Sequence, residues 1–209
     1  MSRATGADRL ADLLREQVLA GSLAPGAPLR EEVVAEQHGL SRHTVRRALE
    51  RLVAERLLVS EPFRGVRVTS FADDDVIALQ QLRAALESEA VRLLRVRHGE
   101  AWPADLVASL SAGVDAMASG VPVEDAHASF HRLLVSSAGS ARISEAHARL
   151  DAEMLLFLRQ LRFHYDAATL CAEHRTYLAE VQRFGEPAVR EHLERSTAML
   201  LAARAAATS

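Results

Sequence analysis

Histidines at helical spacing are the residues of this chain that best suit metal chemistry. His127 and His131 are four residues apart in a segment with helical character, so their imidazoles would lie one turn apart and could chelate one ion. His174 and His192 lie near the end of the chain, where two antiparallel helices can bring them close together. The alternative is that each histidine faces solvent or fills a core without binding a metal.

A second group of residues has the pattern of a nucleic-acid contact. Arg42, Arg46 and Arg47 follow Ser41, a favourable N-cap residue, and lie opposite an apolar stripe that begins at Val45. Arginines on the outward face of such a helix can donate two hydrogen bonds to guanine or hold phosphates. An isolated helix with this face is more commonly only solvated, so the interpretation depends on the neighbouring elements.

The neighbouring elements favour a winged helix-turn-helix. Apolar spacing predicts a first helix from Leu10 to Val18 and an acid-rich second helix from Glu31 to His38, before the helix that Ser41 caps. From Leu57 an apolar run leads into Pro-Phe-Arg-Gly at 62–65, and residues 66–69 then alternate between apolar and polar side chains, which predicts a β-hairpin with Arg-Gly at its tip. Three helices followed by a hairpin are the order of elements in that DNA-binding fold.

The rest of the chain has helical periodicity throughout. Glycines and prolines separate six predicted helices, near residues 76–98, 103–118, 122–137, 142–164, 167–184 and 187–205. Six such helices predict an antiparallel bundle. The fold class is therefore mainly α, and the predicted divisions are a winged helix-turn-helix domain at 1–70, a linker at 71–75 and an all-helical domain at 76–209.

The composition limits the alternatives. The chain has 209 residues, 49% of them hydrophobic and 25% charged, and a formal net charge of −3, as in an ordinary globular protein. No apolar run is long enough to span a bilayer and no apolar signal core is present, so we expect a cytoplasmic protein with no membrane partner. The single Cys171 excludes a disulfide framework within the chain and a thiolate-rich zinc site. Any metal must therefore use histidines and carboxylates.

The N-terminal part closely resembles the GntR family of bacterial repressors. The resemblance rests on LAGSLAPG at 19–26, LRE at 29–31, LSRHTVRRAL at 40–49 and RGVRV at 64–68. It implies that the recognition helix contacts operator DNA and that the hairpin tip, or wing, approaches the minor groove. His43 and Arg47 depart from the residues more common at their positions in the family. The expected DNA-binding residues are Arg30, Ser41, Arg42, Thr44, Arg46, Arg47, Arg64 and Gly65.

The helical part resembles the FCD effector domain, which implies the FadR branch of that family. The resemblance rests on LRAALE at 82–87, SFHRLL at 129–134, EHR at 173–175 and EHL at 191–193. Many such domains bind a divalent metal with one Asp and three His, and His131, His174 and His192 match the three His positions. His127 stands at the Asp position, whereas Asp125 is out of register. An all-nitrogen site favours a divalent transition metal, with zinc or nickel the expected ion.

The FCD resemblance also assigns an effector contact. Arg83 matches an arginine that faces the pocket and could bind an effector carboxylate through two hydrogen bonds. The alternative is a salt bridge to Glu87, one helical turn away. His147 and His164 match no ligand position, so we interpret them as surface or packing residues.

These patterns together indicate a ligand-responsive repressor. We expect a homodimer that binds a palindromic operator in double-stranded DNA, because two-fold half-sites match two-fold protein symmetry. The expected effector is a small carboxylate that binds at the metal. A sensor of the metal ion itself is one alternative. A His-ligated metalloenzyme is another, but no acid stands within HxxxH as the general base of an HExxH motif does, and the winged helix would be unexplained.

Overall fold

A computed structural model describes residues 5–62, 64–160 and 166–207 of the chain. Its internal contacts divide the chain into two compact units, Met1–Phe71 and Ala72–Ser209. Each unit has a buried core of its own. In the described residues, no helix is both long enough and apolar enough to cross a membrane.

The N-terminal unit contains the predicted three helices and hairpin. Its elements are α1 (Gly6–Leu19), β1 (Pro28–Leu29), α2 (Glu31–His38), α3 (Arg42–Ala54), β2 (Leu58–Glu61) and β3 (Gly65–Val68). The strands form an antiparallel sheet in the order β1-β3-β2. The sequence analysis missed β1, which has two residues and exists only because it pairs with β3.

Local sequence explains how α2 and α3 meet. Gly39 ends α2 with a φ of 62°, a left-handed conformation that glycine adopts without a steric penalty. The side chain of Ser41 then caps α3 by accepting a hydrogen bond from the backbone N–H of Thr44. Val45, Leu49 and Leu52 face the core of the unit. The opposite face of α3 therefore remains exposed.

The C-terminal unit is all helical in its described residues. Its helices are α4 (Asp73–His98), α5 (Ala104–Ala116), α6 (Val123–Ser137), α7 (Ala141–Ala148), α8 (Asp151–Gln160), α9 (Ala167–Phe184) and α10 (Glu186–Ala207). One predicted helix, 142–164, is wrong, because α7 and α8 replace it and raise the described helices of this unit from six to seven. The chain turns at Leu150, whose N–H donates to the carbonyl of His147 and whose side chain is buried. The predicted end at 164 lies outside the described residues.

The start of α4 also differs from the prediction. Asp73, Asp74 and Asp75 fall in the predicted linker 71–75, yet they form the first turn of α4. The Asp75 carboxylate accepts a hydrogen bond from the backbone N–H of Ala72, at 2.8 Å. Carboxylates stabilise the positive end of a helix dipole, so this acidic run extends α4 towards the N-terminus.

Candidate functional site

The exposed face of α3 presents arginines from a capped helix start. Arg42, Arg46 and Arg47 are exposed, while Val45 between them is fully buried. The hydroxyls of Ser41 and Thr44 lie 2.8 Å apart, so both belong to the cap. Because the apolar side of α3 is fixed in the core, its basic side faces outwards as a unit.

Acidic residues at the start of α2 pair with two of these arginines. Arg46 donates to Glu31 through Nε and Nη2, each at 2.9 Å. Arg42 approaches Glu32 through Nη2 alone, at 2.9 Å. Arg30, the residue at the N-cap position of α2, is exposed.

The wing places another cation at the surface. Arg64 is 73% exposed, and its nearest carboxylate oxygen, on Glu61, is 3.5 Å away. Gly65 begins β3 opposite Glu61 with a φ of 76°, a conformation that disfavours other residues. The structure thus places both wing residues of the sequence analysis at the tip of the hairpin.

The structure brings the predicted histidines of the helical unit together. His127 and His131 from α6 and His174 from α9 each offer a nitrogen, and these three atoms lie within 4.8 Å of one another in the core. The ring of His192, on α10, is centred 4.9 Å from that of His174. The His192 ring also stacks on Tyr177, with the ring centres 4.0 Å apart. We call His127, His131, His174 and His192 the histidine cluster.

Hydrogen bonds fix which nitrogens of the cluster carry protons. Nδ1 of His131 lies 2.9 Å from an oxygen of Glu87 and Nδ1 of His174 lies 2.8 Å from the carbonyl of Leu170, and both partners are acceptors. Burial lowers the pKa of His131, and burial together with His131 lowers that of His174 to about 3, so both rings are neutral. Each ring therefore has its N–H at Nδ1 and a lone pair at Nε2.

The two Nε2 atoms face each other at 3.2 Å. Two lone pairs at this distance repel unless a proton or a metal ion lies between them. Zinc–nitrogen bonds of about 2.0–2.1 Å in tetrahedral geometry place two ligand nitrogens about 3.3 Å apart. The spacing of His131 and His174 therefore suits two ligands of one metal ion.

His127 supplies a further donor. It is 4% exposed, and its Nδ1 is a buried atom without a hydrogen-bond partner in the described part of the chain. Burial, followed by the neighbouring His131 and His174, lowers the pKa of His127 well below its usual value. Asp125, which the sequence placed out of register, instead pairs with Arg159 at 2.9 Å. The donors that converge here are thus imidazole nitrogens.

One buried carboxylate organises the other side of the cluster. Glu87 is fully buried and accepts hydrogen bonds from Arg83, His131 and Tyr177. Burial alone would raise the pKa of Glu87, but the hydrogen bond from His131 and the charge of Arg83 outweigh that effect and hold the pKa well below the usual value. Glu87 is therefore an ionised acceptor, which fixes the Nδ1–H tautomer of His131.

Arg83 is committed to this interior network. Its Nε and Nη2 lie 3.1 and 3.0 Å from Glu87, and its Nη1 donates to Gln80 at 2.8 Å. Of the two roles considered for Arg83, the structure shows the salt bridge. The effector contact stays a prediction, and it would require Arg83 to share or release Glu87.

Sequence reasoning missed His147. It is 4% exposed on α7, and its Nε2 lies 3.4 Å from Glu87, so it belongs to the buried network rather than to a surface. Its Nδ1 faces Asp151 at 3.9 Å. The spacing of four residues between His147 and Asp151 was the only local sign of a paired histidine. His164 lies outside the described residues.

A cavity of about 160 Å³ borders the histidine cluster between α9 and α10. His127, His174 and His192 line it, together with the charged Glu173 and Arg195. It is below the usual 300–1,000 Å³ of ligand pockets, so it suits a small molecule. A larger groove of about 650 Å³ between α4 and α10 contains none of the four histidines.

Comparison with known proteins identifies both units. Residues 7–68 match the family of bacterial regulatory proteins named gntR, and residues 78–185, half of the chain, match the FCD domain. The chain belongs to the gntR family. It is a transcriptional regulator with a C-terminal FCD domain, and not an enzyme. This architecture is consistent with the FadR branch, which stays a prediction.

Two relatives of this gntR-family chain are named as repressors. It is 30% identical over 197 residues to the "Probable D-xylose utilization operon transcriptional repressor" of Paenarthrobacter nicotinovorans, covering 92% of this chain and 85% of that protein. It is 29% identical over 143 residues to the HTH-type transcriptional repressor GlaR of Escherichia coli, covering 66% of this chain and 65% of GlaR, just under two thirds of that protein.

Solved structures share the fold of this regulator. A GntR transcriptional regulator from Rhodococcus sp. RHA1 superposes with a TM-score of 0.72 at 25% identity, covering 94% of this chain and 97% of the other. McbR/YncC of Escherichia coli superposes with a TM-score of 0.67 at 22% identity, covering 95% and 98%. The prediction of a mainly α fold with an N-terminal DNA-binding domain is confirmed.

Proposed function

We propose that the protein is a cytoplasmic repressor that binds a palindromic operator as a homodimer and responds to a small carboxylate at a metal in its FCD domain. The observation that carries the sensory half is the approach of the Nε2 atoms of His131 and His174, which face each other at 3.2 Å. The names of the two relatives support the repressor half.

The DNA-binding half rests on exposure and charge. Arg42, Arg46 and Arg47 form the basic face of α3, and a helix of this kind enters the major groove of DNA. The wing carries Arg64 and Gly65 towards the backbone or the minor groove. The proposed DNA contacts remain the predicted set, Arg30, Ser41, Arg42, Thr44, Arg46, Arg47, Arg64 and Gly65.

The sensory half rests on the donor set. His127, His131 and His174 would hold the ion and His192, whose ring adjoins that of His174, would complete the site. Neutral imidazoles suit zinc or nickel better than magnesium. A bound divalent metal would supply a Lewis acid, and it would have a position for a carboxylate oxygen if one histidine were released or the ion became five-coordinate.

The chain's own residues then define what the site accepts. The cavity of about 160 Å³ admits only a small ligand. Arg195 at its wall pairs with Glu191 at 2.6 Å, so an anionic group there would have to share this guanidinium. A ligand there would contact α6, α9 and α10 together. Its differential affinity for one arrangement of these helices could change operator binding.

Sensing of the metal ion itself is the second candidate. It is favoured by the salt bridge of Arg83, because the guanidinium that was expected to bind an effector is already neutralised by Glu87. In this case the metal alone would change operator affinity.

Native mass spectrometry of the full-length protein, followed by operator binding, tests the proposal. The operator is a duplex selected by the wild-type protein from a random pool. We expect a dimer with one metal per chain and a small organic acid, and that acid should change operator affinity of the metal-loaded protein. A change in operator affinity with metal alone would favour ion sensing. If the purified protein carries neither metal nor acid, and adding them leaves its operator affinity unchanged, both candidates are contradicted.

A further inference from the structure

The contact between Glu31 and Arg46 crosses from α2 to α3 with a definite geometry. Two nitrogens of the guanidinium, Nε and Nη2, each donate to a different carboxylate oxygen at 2.9 Å. Such a two-point contact fixes the plane of the guanidinium as well as its position. The Arg46 hydrogen bond lowers the pKa of Glu31, which is therefore ionised at neutral pH.

This geometry uses one edge of the guanidinium and leaves another free. A guanidinium has five N–H groups, and the contact with Glu31 uses one on Nε and one on Nη2. The remaining N–H of Nη2 and one N–H of Nη1 point together from the far end of the side chain. Guanine presents two acceptors, O6 and N7, in the major groove, and a pair of parallel N–H groups matches them. Arg46 is thus held with a base-reading end unoccupied by Glu31.

The exposed fractions of the two side chains show that Arg46 faces solvent while Glu31 is more buried. The Arg46 side chain is 57% exposed, whereas Glu31 is 25% exposed. Glu31 is the first residue of α2, a helix anchored in the core by Val34 and Ala35. The fixed partner is therefore the acid, and the exposed partner is the arginine.

The adjacent pair provides an internal comparison. Glu32 meets Arg42 through one nitrogen, and the two side chains are 72% and 60% exposed. Exposed single contacts of this kind hold a side chain weakly. Both acids place the same charge on the same turn of α2, but only Glu31 fixes the plane of a guanidinium.

We propose that Glu31 is a positioning residue for base recognition, which holds Arg46 so that its free end reads one guanine of the operator. The inference rests on the proposed DNA-binding role of α3. Pre-ordering a long side chain removes part of the entropy cost of the specific contact. The same carboxylate repels phosphates, so it lowers affinity for unrelated DNA. Glu31 thus raises the preference for the operator over unrelated DNA in two ways.

The experiment measures affinity and discrimination separately. Full-length protein is titrated, at one salt concentration, with the selected duplex, with each of its single base-pair variants and with an unrelated duplex of equal length. The base pair that Arg46 reads is the one whose substitution lowers the affinity of the wild type but does not lower the affinity of Arg46→Ala. A single mismatch of this kind costs a wild-type protein roughly 5- to 150-fold in affinity. Glu31→Gln is the test, and Glu32→Gln is the matched control that removes the same charge.

We expect Glu31→Gln to lose at least about threefold of the discrimination at that base pair, and Glu32→Gln to keep it. Both variants should bind the unrelated duplex more tightly, because each removes a negative charge. Glu31→Asp, which keeps the charge but shortens the side chain, should also lose discrimination without the gain in unrelated binding. Thermal unfolding by circular dichroism verifies that each variant is folded.

Several outcomes would overturn the inference. Wild-type discrimination in both Glu31 variants, or an equal loss in Glu32→Gln, would show that the two-point contact does not position Arg46. If Arg46→Ala loses the same affinity for all duplexes, Arg46 contacts phosphate and does not read a base. Wild-type operator binding by Arg46→Ala would contradict the proposed recognition helix itself, and so distinguishes that failure from the first.

Discussion

Glu87 links the histidine cluster to Arg83 in the buried network. It fixes the tautomer of His131 and neutralises Arg83, both of which are buried. Partners that orient a ligating imidazole in this way typically contribute 10- to 100-fold to metal affinity. Metal binding by the histidine cluster should therefore depend on a residue that is not itself a proposed ligand.

We expect Glu87→Gln to weaken zinc or nickel binding by about 10- to 100-fold, because an amide holds the His131 N–H less strongly than a carboxylate does. It should also lower the free energy of unfolding by about 3–5 kcal/mol, because Arg83 is left buried and unpaired. Competition with a chromophoric chelator measures the first effect, and urea unfolding followed by the buried Trp102 measures the second.

Two variants separate these effects. Glu89→Gln removes an exposed carboxylate from the same helix and should change neither quantity. The double variant Arg83→Gln with Glu87→Gln should regain stability but not metal affinity, since no buried charge remains unpaired. Full metal affinity in Glu87→Gln would contradict the positioning role.

Ser41 combines a structural and a recognition role at the start of α3. Ser41→Ala should lower the free energy of unfolding of the N-terminal unit by about 1 kcal/mol, because the Thr44 N–H loses its acceptor. Ser41→Asp keeps a capping oxygen and should preserve stability, yet its charge should weaken operator binding. Equal operator binding by Ser41→Asp and the wild type would remove Ser41 from the DNA interface.

Among the elements, an ion pair ties α1 to Glu55, the residue that follows α3 at its C-cap. Arg15 donates to both oxygens of Glu55, at 2.7 and 2.8 Å, and the two side chains are only partly exposed. Burial tends to raise the pKa of Glu55, but the hydrogen bond from Arg15 outweighs it and the pKa is lowered. A carboxyl group with a lowered pKa in the folded state stabilises the fold above its unfolded pKa, near 4.5.

The contribution of Glu55 should therefore be complete at pH 6 and decrease as the pH falls through and below about 4.5. Glu55→Gln should cost about 1 kcal/mol at pH 6 and progressively less in acid. Urea unfolding of the wild type and the variant from pH 6 to pH 3, followed by far-ultraviolet circular dichroism, measures this difference. Glu50→Gln, an exposed change on α3, is the control. A difference independent of pH would show that the contact is not ionic.

Elements that depend on local sequence were predictable, and those that depend on distant contacts were not. Gly39 and Ser41 determine the turn before α3 from neighbouring residues alone. The break between α7 and α8 contains neither glycine nor proline, so no local signal marks it, and the Leu150 side chain at the break is buried. His147 meets Glu87 from 60 positions away, so no spacing along the chain could reveal it. The histidine cluster was predicted from residue spacing together with the family resemblance, and the structure adds the hydrogen bonds of His131 and His174.

In the whole molecule, binding of a palindromic operator requires two copies of the chain. One winged helix reading one half-site gives limited affinity at cellular salt, whereas two linked half-sites raise the effective concentration of the second contact. Light scattering of the full-length protein should give twice the 22.8 kDa of one chain at micromolar concentration. A strictly monomeric protein that binds the selected palindrome with one chain would contradict the proposed symmetry.

The histidine cluster is the centre of the account, and metal content tests it most directly. Elemental analysis of full-length protein should find about one zinc or nickel per chain in the wild type and in His98→Ala, whose histidine lies about 16 Å along α4 from Glu87. His131→Ala and His174→Ala should each lose the metal, because each removes one of the facing Nε2 atoms. Unchanged metal content in both variants, or a metal-free wild type that takes up neither ion, would contradict the proposed site.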